Sequence, residues 1–419
     1  MASQPVVDPE VASLQSKPIS RHPLSLPVFR DFWIARTLSV LGDQFFTVAL
    51  PWIVLQLTSS ALALGAVLMV AAIPRAVFML VGGVATDRFS PRRVLMATAA
   101  IRTVLVGALA ALFWLGGIQL WQLYVITFLF GITDAFSLPA AGALVPTIVD
   151  KEQLQAANSL NQSSLALVQM IGPAVAGLVI KSWGSGAAML LDALSFLPLL
   201  AALFKIPEPE LTNAAARSTK NNMLRSMQEG LRAVGSDRPL LWLLLLVAAI
   251  TLSVNGPIGV GLPLMAKGRF GSPVALGAII TCFSLGALIG TIAAGVLKQL
   301  PRRGVLILIM SALTSLELVG LGIGSKLAIV GGLLLLMGLG AGFINVLFLA
   351  WLQARVDRAI RGRVMSIMTF GTIGLGPVSL VAAGILAQWS ITGMFVVSGA
   401  LLAVMAAVAA TSKDCRQID

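Results

Sequence analysis

Apolar runs of about 20 residues recur from Phe32 to the end of the chain, and that recurrence constrains the fold more than any single motif. A hydrocarbon core about 30 Å thick is crossed by about 20 residues rising 1.5 Å each. Inside it every backbone polar group must be satisfied within the protein, which favours helices. Hydrophobic side chains make up 58% of the 419 residues and charged ones 11%, with a mean hydropathy of +0.94. Soluble domains lie far from those values. The pattern predicts an all-α membrane protein with twelve transmembrane helices, near 32–57, 60–85, 92–115, 119–143, 154–180, 186–204, 240–265, 273–297, 304–324, 327–352, 362–387 and 390–411. An even number of crossings puts both termini on one side.

The basic residues orient those crossings. Lys181, Lys267, Arg269 and Lys326 fall on one side, Arg36, Arg75 and Arg102 fall within spans, and the rest of the 29 Lys and Arg fall with the termini. Positive charge stays inside, so both termini are expected in the cytoplasm. The net charge of +12 is therefore topogenic, since it follows no nucleic-acid-binding motif, and no nucleic-acid partner is expected. Cys282 and Cys415 offer no disulfide framework, and His22, the only histidine, leaves no metal centre. No phosphate-binding loop is present, so neither an enzyme nor a bound cofactor is expected.

Five regions follow: a polar tail at 1–31, a six-helix half at 32–204, a linker at 205–239, a second half at 240–411 and a short tail at 412–419. In the linker, Met223, Leu224, Met227, Leu231 and Val234 make a helical stripe, expected as an amphipathic helix on the inner membrane surface. The halves read as pseudo-repeats: Pro91-Arg92-Arg93 returns as Pro301-Arg302-Arg303, Gly172-Pro173 as Gly376-Pro377, and Trp183 as Trp389, at nearly one offset.

Between the second and third spans lies Gly82-Gly83-Val84-Ala85-Thr86-Asp87-Arg88-Phe89-Ser90-Pro91-Arg92-Arg93, read as a tight charged loop. Its spacing resembles the loop signature of the major facilitator superfamily, with Ser90 where that family usually has Gly. Leu144-Val145-Pro146, Ala156-Ala157-Asn158-Ser159-Leu160-Asn161-Gln162, Gly172-Pro173 with Gly177, and Arg361-Gly362-Arg363 resemble its macrolide-efflux and enterobactin-exporter branch. The resemblance implies two parallel six-helix repeats and a gate in which Asp87 meets Arg361 and Arg363, with Gly83, Arg88, Arg92 and Arg93 completing an ionic latch. It also implies that Gly172, Pro173, Gly376 and Pro377 permit helix bending and close packing. Proton-driven members usually carry an Arg in the fourth helix, where Thr127 and Phe128 stand here, so a basic partner falls to Arg75 or Arg102.

A charge near the bilayer centre costs about 2.5–3.5 kcal/mol on insertion scales, so each is a functional candidate. Asp43, Arg75, Arg102 and Asp134 lie roughly 15–18 Å from the cytoplasmic ends of the first four spans, by rise per residue. They form one layer, readable as a proton-coupling site or as a permanent salt-bridge network. Asp192 and Glu317 lie roughly 20 Å from the same face; pairing with Lys181 and lining the outer cavity both remain open for Asp192, and Glu317 is expected at a structural or lipid-facing position. Gln44, Asn158, Asn161 and Gln162 in the first half, and Asn255 and Asn345 in the second, add neutral polar groups for a substrate cavity. One charged wall facing one apolar wall suits a small amphiphilic or cationic lipophilic substrate. The leading expectation is a monomeric, proton-coupled secondary exporter of the bacterial inner membrane, bounded by lipid and driven by the proton gradient. A lipid or lysolipid translocator and a non-transporting receptor are the rival readings.

Overall fold

The computed structural model describes residues 22–208, 235, 237–297, 302–412 and 415. Most of the expected N-terminal tail, the linker stripe at Met223 to Val234 and Pro301 lie outside the described residues. Among the described residues, eleven helices are long and apolar enough to cross a membrane. They are α1 (Pro27–Thr58), α2 (Ala61–Phe89), α3 (Pro91–Trp114), α4 (Leu120–Ile148), α5 (Leu154–Lys205), α6 (Arg238–Gly268), α7 (Pro273–Val296), α8 (Arg303–Ile323), α9 (Leu327–Arg355), α10 (Arg358–Trp389) and α11 (Ile391–Thr411).

Local chemistry sets their ends. Pro27, Pro91 and Pro273 stand at first helical positions, where the missing N–H costs nothing. Ser60, Asp237, Ser272 and Ser390 accept hydrogen bonds from Ala63, Leu240, Val274 and Gly393 N–H groups, each cap contributing about 1 kcal/mol. The charged stretch after Gly82 is no loop: α2 continues through Phe89, and Ser90 alone joins it to α3. Ser90 takes φ 74° and ψ 131°, a conformation that glycine reaches more easily.

The 52-residue α5, about 78 Å long if straight, is too long to be one crossing. Gly184, at φ 84° and ψ 169°, breaks it. A Cβ on Gly172 would touch Gln44 of α1, and one on Gly42 would touch Asp192 and Ser195. Residues before and after Gly184 thus pass the same level of α1, so α5 is a hairpin with two arms. In α6, Pro257 opens a π-helical turn over Pro257–Gly261. Ser379 of α10 repairs the backbone there, accepting from Gly256 N–H and donating to Leu252 carbonyl, both at 2.7 Å.

Glycines bring backbones together where lipid offers no hydrophobic drive. Gly286 and Gly290 of α7 sit against Leu335 and Leu339 carbonyls of α9, while Gly338 and Gly342 sit against Phe283 and Ala287 carbonyls of α7. Between the two halves of the chain, Gly177 of α5 meets the Pro273 carbonyl of α7, Gly277 meets the Pro173 carbonyl, and Gly65 of α2 lies beside Gly384 of α10.

The apolar core shows which end of the molecule is sealed. One buried cluster joins residues of both halves, from Leu55 and Leu64 to Met265 and Phe395. It occupies the end where α1 meets α2, and there the Lys267 ammonium donates to the Leu55 carbonyl and, at 3.1 Å, to Ser59 Oγ. At the opposite end, where α1 begins and Cys415 packs with Leu240 and Trp351, the core divides. Phe29, Leu144 and Leu203 belong to one cluster, and Leu240, Leu352 and Val364 to another. Among the described residues, the buried clusters join the halves at the first end and divide between them at the terminal one.

Candidate functional site

Four helices each bring one charge to the middle of the first half. Arg102 of α3 is 2% exposed. Its guanidinium donates at 3.3 Å to Asp43 Oδ1 of α1 and, in a shorter contact, to Asp134 Oδ1 of α4. Arg75 of α2 reaches the other Asp134 oxygen at 3.2 Å. The Arg102 side chain is almost fully enclosed, those of Asp134 and Asp43 are 20% and 28% exposed, and that of Arg75 is 49% exposed. The chain of charges therefore runs from the packed interior to open space.

Aromatic rings hold the inner end in place. The Arg102 guanidinium lies 4.5 Å from the Phe130 ring centroid and 5.7 Å from that of Phe196, and Phe130 stacks on Phe46 at 4.3 Å. A cation over a ring face gains about 2 kcal/mol when desolvated. Such a site gives two carboxylates one shared partner, so a proton on either carboxylate weakens one bond and leaves the other. The basic partners of Asp134 come from α2 and α3, whereas Thr127 of α4 spends its hydroxyl on the Leu123 carbonyl.

Asp192, from the second arm of α5, is fully buried. Neither of its carboxylate oxygens has a hydrogen-bond partner among the described residues. It lies within electrostatic reach of Asp43 and Arg102, while Lys181 is exposed near the turn of the hairpin. Both readings of Asp192 are therefore corrected: it neither pairs with Lys181 nor lines an outer cavity. The hairpin returns it to the level of Gly42, a direction that span counting leaves open. Glu317 is half-buried on α8, away from this cluster.

The neutral candidates divide among three cavities. Asn158, Asn161 and Gln162 line one of about 390 Å³ together with Arg36. Asn255 shares a second, about 380 Å³, with Arg75, Gly376 and Pro377, and this one lies across the two halves. Asn345 lines a third of about 390 Å³, walled by Ile250, Phe283, Met337 and Phe348. Gln44 packs over Gly172 of α5, and Pro173 lies at the contact with α7. Arg36 is the residue that depth counting passed over, because it sits only four residues into the predicted first span. Its spacing from Asp43, two helical turns on the same face, was the available signal.

The expected latch is described only in part. The side chains of Asp87 and Arg363 lie outside the described residues. Arg92 donates at 2.7 Å to the Leu203 carbonyl and also to the Phe204 carbonyl, closing the end of α5, and Arg93 pairs with Glu208. Arg88 lies over the Phe89 ring at 5.7 Å. Arg361 donates to the Val356 carbonyl of its own half. A Cβ on Gly83 would meet open space, whereas one on Gly82 would strike the Ala135 carbonyl of α4. Among the described residues, Arg92 and Arg361 each satisfy a helix terminus of their own half, and Arg93 pairs with an acid of its own.

Known proteins resemble the chain over most of its length. The sequence profile of the transmembrane secretion effector family matches residues 19–417. Macrolide efflux protein A of Streptococcus pyogenes is 26% identical over 398 residues, covering 93% of this chain and 97% of that protein. The multidrug efflux pump Tap of Mycobacterium bovis is 27% identical over 358 residues, 84% of each. Among solved structures, a bacterial homologue of the iron transporter ferroportin in an inward-facing state superposes with a TM-score of 0.72 at 18% identity, covering 91% of this chain and 98% of that one. A POT family transporter in complex with 5-aminolevulinic acid gives 0.73 at 12% identity, covering 96% and 98%. At such identities the structures share the fold alone.

Proposed function

The chain belongs to the transmembrane secretion effector family of major facilitator transporters, and from that membership we propose that it is a proton-coupled exporter of a small amphiphilic compound. It is a multi-pass membrane transporter, not an enzyme, and its relatives are efflux pumps. In this reading the α5 hairpin crosses twice, giving twelve crossings in two six-helix halves, the repeat architecture expected of such transporters. The positive-inside distribution supports placing the terminal face in the cytoplasm, which makes the present arrangement inward-facing. In this reading the protein is a monomer of the bacterial inner membrane and takes its energy from the proton gradient, with no cofactor.

The observation that carries the proposal is the charge chain from buried Arg102 through Asp43 and Asp134 to exposed Arg75. Paired ions at this depth have to be compensated, and a partly exposed carboxylate can exchange a proton with water. Alternating access then carries the proton inward and the substrate outward. Purified protein in vesicles with an imposed pH gradient tests this, using the cation ethidium as the probe. Gradient-driven ethidium movement is expected from the natural protein and not from Asp43→Asn or Asp134→Asn. Undiminished movement in both variants sinks the coupling mechanism.

A lysolipid translocator is the second reading, favoured by the apolar cavity around Asn345 in the second half. Flipping of a fluorescent lysolipid without ethidium movement would select it.

A further inference from the structure

The cavity beside Arg36 is built differently from the other two. Arg36, Val40 and Asp43 fall at i, i+4 and i+7 on α1 and so share one face. Asn158, Asn161 and Gln162 fall at i, i+3 and i+4 on the first arm of α5 and share another. Arg36 and the three amides line one space of about 390 Å³, within the size range of small-molecule sites. Arg36 makes no hydrogen bond or ion pair with another described residue. Asp43, Arg102 and Asp134 lie within electrostatic reach of it, and both aspartates are already committed to Arg102. Leu138 and Val168 give the same cavity an apolar side.

An arginine fork beside amide N–H groups matches an oxyanion, since five fixed donors suit carboxylate and phosphate geometry. Asp43, seven residues and about 10 Å deeper on the same face, repels a second negative charge and keeps the anion near the terminal end. We propose that this cavity is a binding site for the carboxylate or phosphate head of an anionic amphiphile, with Arg36 as its anchor, the three amides as flanking donors and Leu138 and Val168 against the chain. The site deepens the exporter reading by adding an anionic class of substrate, and it rests on that reading only for the direction of movement.

Photo-cross-linking of the full chain in phosphatidylcholine nanodiscs tests it, with diazirine-bearing laurate and diazirine-bearing lysophosphatidylglycerol as probes and peptide mapping as readout. Both probes are expected to label α1 and the first arm of α5. Arg36→Gln is expected to cut that labelling at least fivefold, and Arg36→Lys to keep about half of it. The double variant Asn158→Leu, Asn161→Leu is expected to cut it as well, which covers the case of Arg36→Gln failing to fold. In the unaltered protein, excess dodecyl phosphate should suppress labelling and dodecyltrimethylammonium should not. Labelling by laurate alone assigns the site to a free anionic compound, and labelling by lysophosphatidylglycerol alone assigns it to a lipid head; either supports the oxyanion site. Equal labelling of Arg36→Gln, or equal suppression by the cationic detergent, overturns it. Ethidium movement by Arg36→Gln reports separately on the exporter reading, because labelling can persist where gradient-driven movement is absent.

Discussion

At Arg102 one buried guanidinium holds Asp43 and Asp134 together, and its removal leaves Asp43 without its ion-pair partner and Asp134 with Arg75 alone. Breaking such an arrangement costs about 3–5 kcal/mol. Arg102→Gln is therefore expected to lower the unfolding temperature in detergent by many degrees, and Arg102→Lys by less because a charge remains. Asp192 is the opposite case. Its carboxylate oxygens are buried without hydrogen-bond partners among the described residues, so only the nearby charge of Arg102 offsets its desolvation. Asp192→Asn is expected to leave the unfolding temperature unchanged or raise it; a steep fall would reveal a partner. Ser90 holds a positive φ, a strain of about 1–3 kcal/mol for a residue with a Cβ. Ser90→Gly should relieve part of it, measurable as a higher unfolding temperature. Of these three residues, Arg102 was legible from its depth in a span. The isolation of Asp192 was not, because its neighbours come from α1 and α3.

At the scale of helices, α5 and α7 meet through Gly177 and Gly277, each facing a backbone carbonyl of the other helix. Neither carbonyl can move aside as a flexible side chain does, so a Cβ there forces the helices apart. Gly277→Leu is expected to open the sealed end. In a background with Cys282→Ser and Cys415→Ser, a cysteine replacing Ser59 should react with a membrane-impermeant maleimide several times faster once Gly277→Leu is added. An unchanged rate would mean that the seal depends on other contacts. The Gly-Pro pairs at 172 and 376 were visible as a repeat. Their surroundings differ, however: Pro173 lies at a contact between halves, whereas Gly376 lines a cavity with Arg75 and Asn255.

For the whole molecule, one core cluster spans both halves at the sealed end and two clusters separate at the other. Export by alternating access requires that seal to break. Cross-linking cysteines placed at Ser59 and Lys267 with a short bis-maleimide is expected to abolish gradient-driven ethidium movement, and undiminished movement would refute alternating access. The sequence by itself determined the membrane setting, nearly all span positions, the side on which basic residues collect and the common depth of four charges. These follow from properties that add along one helix: apolar length, rise per residue and the charge of adjoining turns. The tertiary structure alone decided that Arg102 sits between two acids, that Asp192 returns to their level through the Gly184 hairpin with no hydrogen bond to its carboxylate among the described residues, that Arg36 and three amides share a cavity, and that Arg92 and Arg361 serve helix ends of their own halves. Those outcomes depend on the rotation of each helix and the identity of its neighbours, which backbone contacts between distant segments set and local pattern does not.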